Sequence, residues 1–256
     1  MSQFHDVQAF VREANRASNL PELKNLIADV ILELGFDQFA FIHHVTGANV
    51  PEHVIRLSNY PEYWIEAVLE RGYFFDDPVH VACQRSSAGF VWSDLSNIIN
   101  LTDRQIHILE EWHRQGLGEG FTVPVHIPGE TIGSCSMCVR ASSRFPDASL
   151  PAAHYVASFA FEAARRIVRS SLSISANHSS LTQLTGRQLD CLVLVGRGKS
   201  DWDISRLLGI SDQTVHQHVE TAKKRYGVAT RTQLVVRALF ESQVTFSDLF
   251  DSPPIP

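Results

Sequence analysis

The sequence predicts an α+β fold, an N-terminal α-β-α sandwich built on an antiparallel sheet and followed by a small all-α domain of four helices. Three observations carry this. Residues 1–170 mix amphipathic helical segments with short apolar strands, and two of those strands are joined by Pro128-Gly129-Glu130, the Pro-then-Gly pattern of a tight turn. Residues 171–180, SLSISANHSS, are rich in Ser and show no periodicity, which is the composition of a linker. Residues 181–256 carry helix start and stop signals in quick succession, ending in a short tail.

In chain order, His5–Arg16 and Pro21–Leu34 read as amphipathic helices; in the second, Leu23, Leu26, Ile27, Val30, Ile31 and Leu34 share a face and Gly35 ends it. Phe39–Ile42 and Val54–Leu57 read as strands. Pro61–Arg71 is a helix with Pro in its first turn and Gly72 after it. A short helix over Asp77–Gln84, a short strand over Phe90–Trp92 and a helix over Asp103–Gln115 follow. Phe121–Ile127 and Ile132–Arg140 form the hairpin, and Ala148–Arg169 is a long helix.

The second region is punctuated by capping boxes, in which a Ser or Thr side chain and a polar residue three positions on satisfy each other's backbone N–H groups. Thr185-Gly-Arg-Gln188 precedes Leu189, Leu192 and Val193; Ser200-Asp-Trp-Asp203 precedes Ile204, Leu207 and Leu208; Thr230-Arg-Thr-Gln233 precedes Leu234, Val235, Ala238 and Leu239. Between the last two, Ser211 can cap a helix that Gly227 ends, with Val215, Val219, Ala222 and Tyr226 on one face. Its other face carries Gln213, His216, Gln217 and Lys223, with Lys224 at the margin. Helix, short turn at Gly209-Ile210-Ser211, helix is the helix-turn-helix arrangement. An amide and basic face suits the major groove, since Gln can bond adenine in bidentate fashion and Lys neutralises phosphate.

This region resembles the DNA-binding domain of LuxR-type regulators. The match runs through Leu184, Thr185, Arg187, Gly198, Lys199, Ser200, Ile204, Ile210, Ser211, Thr214, Val215, His218, Gly227, Val228, Arg231, Thr232 and Gln233. It departs at Gln188 and Asp203, where the family usually has Glu, and at His216 and Arg225, where Lys is common. The resemblance implies a dimer on palindromic double-stranded DNA. Gln213, His216 and Gln217 would face bases and Lys199, Thr214, Lys223 and Arg231 phosphates; Trp202 and Ser211 complete the expected interface, and RNA polymerase is a further candidate partner.

In the first region, Asn59–Trp92 is dense in aromatics, with adjacent acids beside Pro78, a mixture that fits either a satisfied core or an apolar pocket with a few orienting polar groups. This stretch also resembles the family, whose receptors bind acyl-homoserine lactones: Tyr60, Trp64, Asp77, Pro78, Trp92 and Gly120 match its pattern. The resemblance implies that the Trp64 indole N–H meets the lactone carbonyl and Asp77 accepts from the ligand amide. Tyr60 and Ser136 would hold the acyl carbonyl, Trp92 would wall the lactone end, and Val68, Pro78, Trp112 and Phe121 would complete the pocket. Val68 departs from the Tyr usual there, which points to a bulkier acyl group or to a non-lactone or host-derived signal. The ligand would complete the core of its domain.

Other chemistry is thinly represented. Cys135-Ser-Met-Cys138 falls in a predicted strand, where positions i and i+3 face opposite ways, so neither a metal nor a redox role is expected. His43-His44 is expected in a solvated loop at a strand end. No G-x-S-x-G, P-loop or H-E-x-x-H occurs, so no catalytic residue and no cofactor beyond the small-molecule signal is expected. A phosphorylation-controlled response regulator would need a repeated parallel β/α pattern, and an enzyme would need a nucleophile–base pair; neither pattern is present. Four cysteines without a disulfide-like spacing, no signal-peptide core and no apolar run near the roughly 18 residues of a membrane span fit a cytoplasmic protein. The chain as a whole carries −6, yet residues 181–240 hold nine Lys and Arg against five acids, a local +4 compatible with phosphate binding.

Overall fold

The computed structural model describes residues 2–45, 54–128, 130–173 and 184–250. The chain forms two compact units, Met1–Ile127 with Thr131–Asn177 and Pro128–Glu130 with His178–Pro256.

In the first unit, α1 (Ser2–Arg16) and α2 (Leu20–Glu33) lead into strand β1 (Gln38–His43), followed by β2 (Arg56–Ser58), α3 (Glu62–Glu70), α4 (Tyr73–Asp76) and α5 (Pro78–Cys83). Then come β3 (Phe90–Val91), α6 (Leu95–Ile98), α7 (Asp103–Arg114), β4 (Leu117–Val125), β5 (Gly133–Arg140) and α8 (Leu150–Ser173). The strands form one five-stranded antiparallel sheet in the order β2-β1-β5-β4-β3. One face packs on α1, α2 and α8 through Leu23, Ile27, Ile31, Phe39, Phe41, Met137 and Phe161, all at most 2% exposed. Burying each such side chain stabilises by roughly 1.5–3 kcal/mol. Arg166 on α8 ties α1 down, donating to the Ala14 carbonyl at 3.1 Å and the Ala17 carbonyl at 2.8 Å, where the last carbonyls of α1 lack helical partners. The other face meets α4, α5 and α7 through Tyr73, Val79, Ala82, Ile108 and Trp112.

The expected α-β-α layers and antiparallel hairpin are therefore present, with some differences. The short helices α4 and α6 are one turn each, too short for periodicity to announce. β4 starts at Leu117 rather than Phe121, because the Gly118 and Gly120 that look like loop residues sit inside the strand beside a register irregularity. α8 continues to Ser173, so the first residues of the expected linker 171–180 are helical; its remainder lies outside the described residues. The expected turn at residues 128–130 includes Gly129, which is also outside them.

His43 and His44 are not in a solvated loop. His43 ends β1 at 4% exposure and accepts at Nδ1 from the Ile55 N–H at 3.1 Å. His44 Nε2 lies 2.8 Å from Ser134 Oγ. Strand pairing continued past the apolar run, and the polar identity of the two residues concealed it.

The second unit holds α9 (Gly186–Gly196), α10 (Asp201–Leu208), α11 (Asp212–Tyr226), α12 (Arg231–Phe240) and a fifth short helix, α13 (Phe246–Leu249). Capping boxes open α9, α10, α12 and α13. Gly209 and Gly227 end α10 and α11 at φ of 66° and 64°, the left-handed conformation that favours glycine. Cys191, Leu192, Ile204, Val215, Val219, Ala222, Leu234 and Ala238 are all buried and form one core, in which Val244 and Leu249 from beyond α12 also take part.

Candidate functional site

A cavity of about 400 Å³ lies in the first unit between the sheet and the helices of its second face. The two-residue alternation of the strands builds its floor: Ala40 and Ile42 from β1, Arg56 and Ser58 from β2 and Ser136 from β5 all reach it. Val68 of α3, Val79 and His80 of α5, Trp112 of α7, and Phe74, Phe75 and Asp77 from around α4 line the rest. Most of this wall is apolar, with a few polar groups set into it, the make-up of a small-molecule site.

Each polar group is held by local structure. Asn59 precedes Tyr60 and clamps the chain there, accepting from the Phe39 N–H at 2.7 Å and donating to the Asp37 carbonyl at 3.3 Å. Tyr60 then places its hydroxyl 3.4 Å from Cys138 Sγ, and burial pushes its pKa well above the usual phenol value. Asp77 caps α5: Oδ1 accepts from the Val79 N–H at 2.8 Å and the His80 N–H at 3.3 Å. Its Oδ2 faces His80 Nε2 at 3.6 Å. Trp92 donates its indole N–H to Thr122 Oγ1 at 2.9 Å, and that hydroxyl lies 2.9 Å from Ser136 Oγ, so tryptophan, threonine and serine form one chain across the sheet. Gly120 lies beneath the indole, where an added Cβ would sit 2.4 Å from Trp92 Cε2. Trp112 packs on Trp92 with ring centroids 5.1 Å apart.

Tyr60, Val68, Asp77, Trp92, Trp112 and Ser136 thus come together around one cavity. Two expected residues do not line it. Phe121 points to the opposite sheet face and packs in the core with α8, because alternation along β4 gives the cavity face to Thr122 instead. Pro78 is buried at the start of α5 and sets its entry rather than the wall. The side chain of Trp64 lies outside the described residues. The floor residues Ala40, Ile42, Arg56 and Ser58 and the helical His80 were not anticipated; the alternation of β1 and β2 carried a signal for the strand residues.

Cys135 and Cys138 face opposite sides of β5, one in each core of this unit. Burial pushes the Cys138 thiol up to about 12, and no group of three or more metal-ligating side chains occurs among the described residues.

In the second unit, Gln213, His216 and Gln217 are exposed along α11, and Lys199 and Ser211 are exposed at the turns before α10 and α11. Thr214 is half-buried with Oγ1 2.8 Å from Ser211 Oγ. Trp202 is 57% exposed on α10, with the Arg206 guanidinium 4.8 Å from its ring centroid. Two basic residues are less free than the pattern suggests. The Lys223 side chain is 16% exposed and its Nζ binds Glu220 at 2.7 Å, so it does not stand on the outward face. Arg231 donates to Asp201 at 2.8 Å and to the Lys199 carbonyl at 3.3 Å, and the same aspartate lies 3.5 Å from His216. At Gln188, glutamine preserves the capping box and accepts from Arg225 at 3.0 Å, so two of the four departures from the family pattern meet in one contact. At Asp203 the shorter acid still accepts from the Ser200 N–H at 3.0 Å.

The autoinducer binding domain family matches residues 19–164, and the luxR family of bacterial regulatory proteins matches residues 182–238. The putative HTH-type transcriptional regulator y4qH of Sinorhizobium fredii is 27% identical over 181 residues; the match takes in 71% of this chain, which spans about half, 54%, of that relative. The transcriptional activator protein AhyR of Aeromonas hydrophila is 26% identical over 220 residues, covering 85% of this chain and 84% of that one. Among solved structures, SdiA of Escherichia coli superposes with a TM-score of 0.64 at 20% identity over 93% of this chain and 98% of its own. SdiA in complex with octanoyl-rac-glycerol gives 0.62 at 21%, over 93% and 95%. At these identities the two superpositions establish a shared fold.

Proposed function

The chain belongs to the LuxR-type regulators, with an autoinducer-binding domain and a luxR-family helix-turn-helix domain, and we propose that it is an acyl-homoserine lactone receptor that binds palindromic promoter DNA as a dimer. Residues 1–170 take the signal and residues 181–256 take the DNA. The observation that carries this reading is the convergence of Tyr60, Asp77, Trp92 and Ser136 on one cavity of about 400 Å³. Asp77 Oδ2 accepts the ligand amide N–H, Oδ1 being committed to the α5 cap. Tyr60 and Ser136 take the acyl carbonyl, Trp64 takes the lactone carbonyl, and the Trp92–Trp112 pair walls that end. Each polar atom of a buried ligand left without a partner costs about 1–3 kcal/mol, so this set selects for an amide-linked signal.

In the DNA domain, Gln213, His216 and Gln217 are exposed along α11 and read base edges. Lys199 and Thr214 contact phosphate, and Lys223 and Arg231 join the phosphate contacts on release from Glu220 and Asp201. Two-fold symmetry of the dimer matches a palindrome, and RNA polymerase is the partner recruited there.

A second reading has its own support: SdiA is solved with an acylglycerol, and Val68 puts no hydroxyl at its own position in the wall. In that case the signal lacks a lactone but keeps an acyl chain and a polar head. Fluorescence anisotropy on a promoter palindrome, with and without lactones and acylglycerols, tests both. The proposal predicts a change in DNA affinity with lactones. A change with acylglycerols alone favours the second reading, and indifference to both classes contradicts each.

A further inference from the structure

His80 lines the cavity beside Asp77 and is only 9% exposed. Its ring is clamped on both sides. His44 stacks on it with centroids 3.9 Å apart, and Phe74 meets it edge-on at 4.7 Å. His44 is itself fixed by the bond between its Nε2 and Ser134 Oγ. The orientation of the His80 ring is therefore set by the strands and by α4, not by the ligand.

The contacts of this ring decide what it can do. His80 Nδ1 lies 3.3 Å from the Phe74 carbonyl oxygen. A carbonyl only accepts, so Nδ1 carries the proton. In the neutral ring Nε2 is then a bare acceptor. It faces Asp77 Oδ2 at 3.6 Å, and a carboxylate also only accepts. At 3.6 Å the two atoms make no short hydrogen bond to each other, so each is open to a donor from a ligand. Asp77 Oδ1 cannot help, since the α5 backbone already occupies it.

We propose that Asp77 Oδ2 and His80 Nε2 form a paired acceptor site for a signal with two donors, an amide N–H and a hydroxyl on the third carbon of the acyl chain. The inference rests on the acyl-lactone reading of the pocket and narrows it. An amide nitrogen and a hydroxyl on the third carbon are four bonds apart, a span of roughly 3–5 Å. Each donor can then reach one acceptor at about 2.9 Å. A keto oxygen at the same carbon brings a third acceptor, and a plain methylene brings nothing. Either leaves a buried nitrogen without a partner, and a site built around a hydroxyl rejects analogues that lack it. His80 is a specificity-determining residue on this account.

The test is the affinity of the full chain for three lactones of one chain length: 3-hydroxyacyl, 3-oxoacyl and unsubstituted. The wild type is expected to favour the hydroxyl by roughly three- to tenfold. His80→Phe keeps a ring on His44 and removes the acceptor, so it should bind the three lactones alike. His80→Gln restores an acceptor and should recover part of the preference, which a merely structural role would not produce. Should His80→Phe not fold, the His80→Gln series and the wild-type ranking carry the test. Wild-type protein that binds all three equally, or a preference that survives in His80→Phe, overturns the role of His80. Wild-type protein that binds no lactone overturns the lactone reading as well.

Discussion

Single residues show most clearly how the site is held. Gly120 gives its space to the Trp92 indole, and a Cβ there would meet the ring at 2.4 Å. Gly120→Ala should push Trp92 off Thr122, destabilise the first unit by about 1–3 kcal/mol and weaken ligand binding; urea denaturation and titration of the variant measure both. His44 makes stability depend on pH. Burial, with smaller contributions from the neighbouring imidazoles of His80, His43 and His126, lowers its pKa to about 2. Unfolded, it titrates near the ordinary value of about 6.5. The unfolded chain therefore binds the extra proton first as pH falls. The contribution of His44 is complete above about 6.5 and is lost below it, by up to about 1.4 kcal/mol per pH unit. Denaturation midpoints at pH 7 and pH 5 should differ accordingly, and His44→Asn should remove that part of the difference. None of this was legible in the sequence, where a polar His pair at a strand end looks solvated. Tyr60, Asp77 and Trp92 were legible because family motifs mark them, whereas Phe121 was misplaced because a pattern match does not give the register of β4.

Elements were legible where their ends carry chemistry. The capping boxes at Thr185, Ser200 and Thr230 and the stops at Gly209 and Gly227 located α9 to α12 nearly to the residue. One-turn helices such as α4, α6 and α13 carry too few residues for a periodic signal, and α13 went unanticipated although Thr245 and Asp248 form a capping box of their own. Which face α11 turns outward was read correctly for Gln213, His216 and Gln217, all exposed, and not for Lys223, which the half-buried flank ties to Glu220. The distinction sets the prediction for DNA. Gln217→Ala should relax sequence preference at one position at a cost of about 1–3 kcal/mol on the preferred site. Lys199→Ala should weaken binding on all sequences and reduce the salt slope by about 1. Anisotropy titrations at several salt concentrations separate the two effects.

At the scale of the whole molecule, two compact units divide the work: one encloses a cavity and the other exposes a recognition helix. A ligand that completes a core stabilises the unit containing it, by about 2.7 kcal/mol at one hundred times its dissociation constant. No helix among the described residues is long and apolar enough to cross a membrane. Composition, charge and capping pattern all change between residues 170 and 185. The volume and floor of the cavity were not legible in the sequence, because they depend on strand pairing between residues far apart in the chain.

The measurement that tests the central claim most directly is a thermal-shift titration of the full chain with acyl-homoserine lactones, run beside Asp77→Asn. Asparagine keeps a side-chain oxygen for the α5 cap and turns the cavity-facing oxygen into a donor, so the fold is retained while the amide contact is not. The account predicts a saturable rise in melting temperature for the wild type and its loss in Asp77→Asn. A folded wild type that no lactone stabilises, or an Asp77→Asn variant that shifts as the wild type does, would contradict it.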